Sequence, residues 1–148
     1  MDEEIIEFDK LKTKVIKYVM YKKRTEAEVR QKFSQNTGNL LENVIEYLKE
    51  NDYINDYRYI ERFVKEAKVL KSLSIREIKY KLMQKGIERS NIVEYIDMNQ
   101  EELLEYEINS AKNLYSKKII SFSKDEVIEY LRKKGYKNDT IKSLQIEE

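Results

Sequence analysis

Hydrophobic positions along the chain recur with the three- and four-residue spacing of one-sided α-helices. The clearest case lies in the middle, where Ser74 is followed three residues later by Glu77, the spacing of a helix capping box. Ile78 and Leu82 then share one face, and Gly86 can adopt the left-handed conformation that ends a helix. This stretch therefore predicts one helix of about eleven residues with a defined start and stop.

The same five roles recur at intervals of forty-nine residues: the capping hydroxyl, the capping glutamate, two apolar residues on one face and the glycine that ends the helix. They are filled by Ser123, Glu126, Val127, Leu131 and Gly135 on the C-terminal side, and by Thr25, Glu28, Val29, Phe33 and a glycine one residue late, Gly38, on the N-terminal side. A single Ser/Thr-x-x-Glu is common by chance, but three in register indicate a duplicated supersecondary unit. Since one-sided helices flank each copy, we predict an all-α fold, an elongated array of three tandem three-helix repeats at residues 1–54, 55–98 and 99–148.

Residues 51–63, at the join between the first two repeats, hold the densest aromatic cluster of the chain. Aromatic residues at helical spacing are more often core than contact residues, so we expect Tyr53 and Phe63 to be buried. For Tyr57 the pattern favours neither role. The helix that follows is expected to use Tyr59 or Ile60, then Phe63, Ala67 and Leu70, on its apolar face.

Composition narrows the possible functions. Hydrophobic residues make up 41% and charged residues 39% of the chain, with three glycines and no proline, as expected for a heavily solvated helical protein. The absence of cysteine and histidine removes the usual nucleophile, general base and metal ligands. We therefore expect no enzyme, cofactor or metal ion; an enzyme using paired carboxylates such as Glu101 and Glu105 has little support. No apolar run approaches the roughly twenty residues that cross a bilayer, so a cytoplasmic protein without a membrane partner is expected. We also expect a monomer.

Charge is banded along the chain although the net charge is only +1. Residues 10–38 carry nine bases against two acids, and residues 57–96 carry ten against five. Each band alone is explained by solvated helix faces, but together they suggest directional surfaces. Basic positions away from the apolar stripes are therefore candidate contacts with an acidic protein surface or nucleic acid: Arg58, Arg62, Arg76, Lys79, Lys81, Lys85, Arg132, Lys133 and Lys134.

Three stretches resemble the RecX family of regulatory proteins, and the resemblance covers essentially the whole chain. They are Tyr53-Ile54-Asn55-Asp56 with Arg58-Tyr59 and Phe63, then Ser74-Ile75-Arg76-Glu77-Ile78 with Leu82 and Lys85-Gly86-Ile87, and finally Tyr130-Leu131-Arg132-Lys133-Lys134-Gly135-Tyr136. The chain departs from the family pattern at Tyr59 and Tyr136, where the family has phenylalanine. Each tyrosine hydroxyl needs a hydrogen-bond partner if it is buried.

The resemblance implies a non-enzymatic regulator that binds the RecA nucleoprotein filament. It would modulate the ATPase, strand-exchange and coprotease activities of the filament by inhibiting them. It would thereby act in homologous recombination, DNA repair and the SOS response. The alternative is a stand-alone DNA-binding helical-repeat protein whose lysines and arginines neutralise phosphates of single- or double-stranded DNA. The mild net charge argues against it, because such domains are commonly more basic.

Overall fold

A computed structural model describes residues 2–36 and 38–146, and the regular structure in those residues consists of helices. The helices are α1 (Asp2–Tyr21), α2 (Glu26–Lys32), α3 (Asn39–Glu50), α4 (Asp56–Leu70), α5 (Ile75–Gln84), α6 (Arg89–Met98), α7 (Gln100–Lys118), α8 (Lys124–Lys134) and α9 (Asn138–Ile146). The predicted all-α class is confirmed. Three helices fall within each predicted repeat range, while the repeat boundaries and the elongated arrangement stay predictions.

Local signals in the sequence start and stop the second helix of each predicted repeat. The capping-box hydroxyls of Thr25, Ser74 and Ser123 accept from backbone N–H groups three residues later at 3.1, 3.1 and 3.2 Å. Gly86 and Gly135 have φ of 86° and 99°, the left-handed region in which glycine avoids the strain of a Cβ. The predicted helix starts and these two stops are confirmed. The assignment of Gly38 as the stop of α2 was wrong, because α2 ends at Lys32 with Phe33 as its C-cap and Gly38 is the N-cap of α3.

The chain divides into two compact units, of which the first comprises Met1–Tyr59 with Lys85–Ile87. Its core forms where α1, α2 and α3 turn their apolar stripes inward, and burial of these side chains is the main favourable free energy of the unit. The buried residues of this core are Leu11, Val15, Val19, Val29, Leu41, Val44, Ile45, Leu48 and Ile54.

The second unit comprises Ile60–Gln84 with Glu88–Glu148. Helices α7, α8 and α9 contribute a core of Ala111, Leu114, Val127, Ile128, Leu131, Tyr136, Ile141 and Leu144. On α5, Ile78 and Leu82 are buried, so the helix face that the spacing predicts is confirmed.

The aromatic cluster at residues 51–63 is placed differently from the prediction. Tyr53 is 38% exposed and Tyr57 is 50% exposed, whereas Ile54 is 3% exposed and takes the core position. The reason is the backbone after α3, since Asp52 has φ of 63° and the chain reverses there. The prediction of a buried Tyr53 was wrong, and Phe63 is half-buried.

The prediction for the apolar face of α4 was also wrong at the last residue of that face. Leu70 is 68% exposed, and the buried stripe of this helix is Ile60, Val64 and Ala67. Leu70 ends the helix, and Lys71 follows with φ of 50°, so the final turn extends past the packed stripe.

Candidate interaction surface

The nine predicted contact residues lie on α4, on α5 and its C-terminal end, and in the last turn of α8. Six of them are exposed: Arg58, Arg62, Arg76, Lys81, Arg132 and Lys133. The other three, Lys79, Lys85 and Lys134, are half-buried. Arg58 and Lys85 belong to the first unit and the remaining seven to the second, so each unit is considered on its own.

Within the second unit, Arg76 lies against the end of α8. A Cβ added to Gly135 would stand 2.8 Å from Cβ and 2.7 Å from Cδ of Arg76, so the aliphatic stem of the arginine covers the glycine. The last turn of α8 carries Arg132, Lys133 and Lys134, where the partial negative charge of a helix C-terminus favours cations. The fold therefore gathers four of the predicted residues from two helices.

Three of the exposed arginines have carboxylate neighbours. The ion pairs are Arg58–Asp52 at 2.6 Å, Arg62–Glu66 at 3.5 Å and Arg132–Glu129 at 3.9 Å, and both partners of each are exposed. Exposed ion pairs contribute only about 0–1 kcal/mol, so they compete weakly with an incoming ligand.

Arg76, Lys81 and Lys133 make no ion pair with any residue in 2–36 or 38–146. A positive charge of this kind is paired only with solvent ions. Its electrostatic attraction is therefore available to an acidic protein surface or a phosphate that approaches. These three residues are therefore the strongest members of the predicted set.

Lys85 and Lys134 have a different environment from the other seven. Their ammonium nitrogens lie 3.8 Å and 3.0 Å from Oε2 of Glu28 and Glu77, the glutamates that close the capping boxes of α2 and α5. Both lysines are thus held by the fold itself, and substituting them would disturb packing as well as any contact with a partner.

The same two helix ends receive a second contact. Thr25 donates its hydroxyl proton to the backbone carbonyl of Lys85, and Ser74 donates to that of Lys134, each at 2.6 Å and each across sixty residues of sequence. We call this arrangement the capped joint: a capping box that also holds the Lys-Gly end of the second helix of the next predicted repeat. The sequence predicted the box and the glycine stop, but the pattern did not show that they meet.

A buried polar cluster on α7 was also missed by the sequence reasoning. Tyr106 and Ser110 donate to the backbone carbonyl of Leu73 at 2.6 and 3.1 Å. Since the Ser110 proton is used there, the Tyr136 hydroxyl donates to Ser110, 2.5 Å away. The hydroxyl that departs from the family pattern at Tyr136 thus has a partner, and the cluster fixes the residue that precedes the α5 capping box.

Glu107 lies beside this cluster with none of its surface exposed. Its Oε1 accepts from the backbone N–H of Lys137 at 3.4 Å, and its Oε2 has no hydrogen-bond partner among the described residues. Burial raises the pKa of Glu107 above its ordinary value, against the opposing effects of the Lys137 N–H and the charges of Lys137 and Lys79. Helical spacing did not predict a carboxylate here, and the position is exceptional because acids are rarely fully buried without a pair.

No helix in the described part of the chain is long and apolar enough to cross a membrane. The described residues also contain no group of three or more histidine, cysteine, aspartate or glutamate side chains arranged to hold a metal ion.

These features define an all-helical protein whose capped joints repeat at a fixed interval and whose solvent-facing helices carry basic residues. No protein-family model matches the sequence. The regulatory protein RecX of Lactococcus lactis subsp. cremoris (strain MG1363) is 33% identical over 148 residues, covering 90% of this chain and 54% of that protein. RecX of Clostridium acetobutylicum is 32% identical over 150 residues, covering 90% of this chain and 68% of that protein.

The crystal structure of RecX from Lactobacillus salivarius has the same fold, with a TM-score of 0.76 and 22% identity over 97% of each chain. The chain belongs to the RecX family of regulatory proteins. It spans about half the length of its Lactococcus relative.

Proposed function

We propose that this protein is a non-enzymatic regulator that binds the RecA nucleoprotein filament and inhibits its ATPase, strand-exchange and coprotease activities. Such a protein would act in recombination, DNA repair and the SOS response. The observation that carries the proposal is membership of the RecX family, whose named relatives are regulatory proteins and resemble this chain along most of its length. The three sequence stretches that resemble the family imply RecA as the partner.

The acidic groups available for chemistry support a non-enzymatic role. Glu101 and Glu105, the carboxylates weighed as an alternative, both lie exposed on α7. Glu107 is closed off from solvent, so a substrate could not reach its carboxylate without local opening of the second unit. General acid–base catalysis requires a positioned group within hydrogen-bond reach of the substrate.

We place the contact with the filament on the exposed basic residues of the second unit, foremost Arg76, Lys81 and Lys133. They are the members of the predicted set that are exposed and also lack an ion pair among the described residues. Arg62 and Arg132 contribute further positive charge, because the surface ion pairs that they form are weak. Arg58 does the same in the first unit. Long-range attraction between such residues and an acidic filament would speed association and make it dependent on salt.

Direct DNA binding is the second candidate, and one feature of α5 favours it. Tyr80 is 62% exposed and stands in sequence between Lys79 and Lys81. An exposed aromatic ring flanked by cations can stack on an unpaired base while the lysines meet phosphates. Single-stranded rather than double-stranded DNA would suit this arrangement.

The decisive experiment follows RecA ATPase on single-stranded DNA while the protein is added, with its binding to the same DNA measured in the absence of RecA. A filament regulator reduces the ATPase rate at concentrations where binding to DNA alone is negligible. If the rate falls only where this protein coats the DNA by itself, competition for DNA explains the effect and the alternative holds. An unchanged rate at saturating filament binding contradicts inhibition.

A further inference from the structure

The residue before each capping box is apolar in two cases and basic in the third. Leu73 and Phe122 precede the boxes of α5 and α8, in the position where an apolar side chain can pack against the first turns of the helix. Arg24 takes this position before Thr25 and α2. Because an apolar residue serves at the other two helix starts, packing alone does not explain the charge of Arg24.

The guanidinium of Arg24 lies over an aromatic ring and has no counter-charge. Its central carbon is 4.2 Å from the centroid of the Tyr18 ring, and the arginine is half-buried. Its Nε is enclosed, and the guanidinium makes no hydrogen bond or ion pair with the residues that the structure describes. Buried charges are normally paired, so an unpaired guanidinium at the edge of a core is a candidate to bind an anion from outside.

A second cation lies on the same ring. Nζ of Lys32, the last residue of α2, is 5.9 Å from the Tyr18 centroid, and Lys32 is exposed without an ion pair in 2–36 or 38–146. Phe33 packs edge-on against Tyr18 with 5.7 Å between the ring centroids, which holds the ring in place. Arg24 and Lys32 thus stand close together despite their like charges, and an anion that met both would remove the repulsion.

The acids nearest in sequence are already paired. Glu26 forms ion pairs with two basic residues at 3.0 and 2.9 Å. Glu28 closes the capping box of α2 and lies 3.8 Å from Nζ of Lys85. These are the two acids of the basic band at residues 10–38, so the band does not neutralise the two cations on the Tyr18 ring.

We propose that Arg24 and Lys32, held against the ring of Tyr18, form a binding site for a phosphate group. A guanidinium presents paired N–H donors that match phosphate oxygens, and an ammonium adds a compact charge beside it. Lys22 and Lys23 are exposed, directly precede Arg24 and have no ion pair with the described residues. They can neutralise further phosphates of an extended ligand.

A nucleic-acid backbone and a free phosphate ion present the same chemical group to this site. The site lies in the first unit, and it does not depend on the filament contact that we place on the second unit. It is also separate from Tyr80, the residue that favours direct DNA binding by α5.

The test is an NMR titration of the ¹⁵N-labelled full chain, followed at the Nε–H signal of Arg24 and at the backbone amides of residues 18–33. Inorganic phosphate, single-stranded tetrathymidylate and tetraglutamate are the probes, with sodium chloride holding the ionic strength constant. We expect saturable shifts with millimolar phosphate. An affinity for tetrathymidylate at least tenfold higher identifies a nucleic-acid backbone as the source, and similar affinities identify a free phosphate.

Two outcomes of this titration would overturn the proposal. One is the absence of saturable shifts with both phosphate probes. The other is tighter binding of tetraglutamate than of either phosphate probe, because the site would then select the carboxylates of an acidic protein.

Variants of the chain make the test specific. Arg24→Met keeps an apolar stem beside Tyr18 but removes the charge and the donors, and should weaken phosphate binding at least fivefold. Arg24→Lys keeps the charge without the paired donors and should recover only part of that loss. Lys32→Gln should weaken binding about threefold. Lys10→Gln is the matched control with the same change of charge on α1, about two helical turns before Tyr18, and should bind as the parent does.

Equal affinity of Arg24→Met and the parent would overturn the proposal. Equal losses in Lys32→Gln and Lys10→Gln would also overturn it, because net charge alone would then explain binding. Circular dichroism and thermal unfolding verify that each variant is folded. Since Lys32 is exposed at a helix end, Lys32→Gln still tests the site if Arg24→Met is destabilised.

Discussion

The side-chain hydroxyl of Ser74 donates a hydrogen bond of 2.6 Å to the backbone carbonyl of Lys134, sixty residues further along the chain. The same side chain accepts the N–H of Glu77 at 3.1 Å, so one hydroxyl caps α5 and also satisfies a carbonyl at the end of α8. Helix C-termini leave carbonyls without intrahelical partners, and this contact supplies one. Ser74 therefore joins local and tertiary structure.

We predict that Ser74→Ala lowers the free energy of unfolding by about 2 kcal/mol. Loss of the cap contributes about 1 kcal/mol, and loss of the bond to the Lys134 carbonyl contributes about 1 kcal/mol more. Ser123→Ala is the matched control, because it removes a cap of the same type from an exposed capping box and should cost only the first part. Urea unfolding of both variants measures the difference. Equal losses of stability would show that the hydrogen bond from Ser74 to Lys134 contributes nothing to the free energy of unfolding.

The sequence predicted the cap of Ser74 because the signal is local. A hydroxyl and a carboxylate three residues apart specify a helix start with few alternatives. The bond to Lys134 depends on how distant helices pack, so the spacing alone could not show it. Tyr53 and Leu70 were misplaced for a related reason, since both lie where the backbone leaves a helix next to a left-handed residue, Asp52 or Lys71, that helical periodicity does not describe.

The candidate site was predictable in part. Residues off an apolar stripe are expected to be exposed, and this identifies Arg76, Lys81 and Lys133. The same reasoning also selected Lys85 and Lys134, but it could not show that these two lysines are half-buried and paired with glutamates on other helices. A lysine that precedes a helix-ending glycine in two repeats was a signal in the sequence, but its meaning depended on the tertiary contact.

Gly86 is expected to be intolerant of substitution. With φ of 86°, alanine there pays for a left-handed backbone, about 1–2 kcal/mol, and its Cβ would overlap that of Ala27 at an additional cost of about 1–3 kcal/mol. The double variant Gly86→Ala with Ala27→Gly removes the overlap and should recover about 1 kcal/mol beyond additivity. Thermal unfolding of the four proteins in this cycle measures the coupling, and strict additivity would contradict the close approach.

Glu107→Gln tests the buried carboxylate through the pH dependence of stability. Burial raises the folded-state pKa of Glu107, so folding favours the protonated form. Its favourable contribution is present below the ordinary pKa of 4.5 and is lost as the pH rises through the raised value. The glutamine variant cannot ionise and should gain stability relative to the parent as the pH rises from about 4 to 7.

The matched control for this prediction is Glu105→Gln, which removes an exposed carboxylate from the same helix. Its stability should follow that of the parent across the pH range, because Glu105 is exposed and its carboxylate remains in contact with water in the folded chain. Denaturant unfolding at several pH values provides the comparison. A constant difference between Glu107→Gln and the parent at all pH values would show that Glu107 ionises in the fold without cost.

Charge reversal on the second unit tests the proposed filament contact. Lys81→Glu combined with Lys133→Glu should leave helicity and the thermal midpoint nearly unchanged, because exposed charges contribute under about 1 kcal/mol to stability. Binding to the RecA filament should weaken by about tenfold or more at low salt, and the difference should shrink as salt screens the charges. The matched control is Lys14→Glu with Lys17→Glu, which makes the same change of net charge at two exposed lysines of α1. This control should bind the filament as the parent does.

The salt dependence also separates a protein contact from a DNA contact. If Lys81 and Lys133 meet phosphates, the logarithmic salt slope for binding to DNA alone should fall by roughly 0.7–0.9 for each lost contact. If they meet acidic residues of the recombinase, that slope should stay unchanged while filament binding weakens. Equal filament binding by the parent, the α5–α8 double variant and the α1 control, in proteins shown to be folded, would move the contact to another face of the chain.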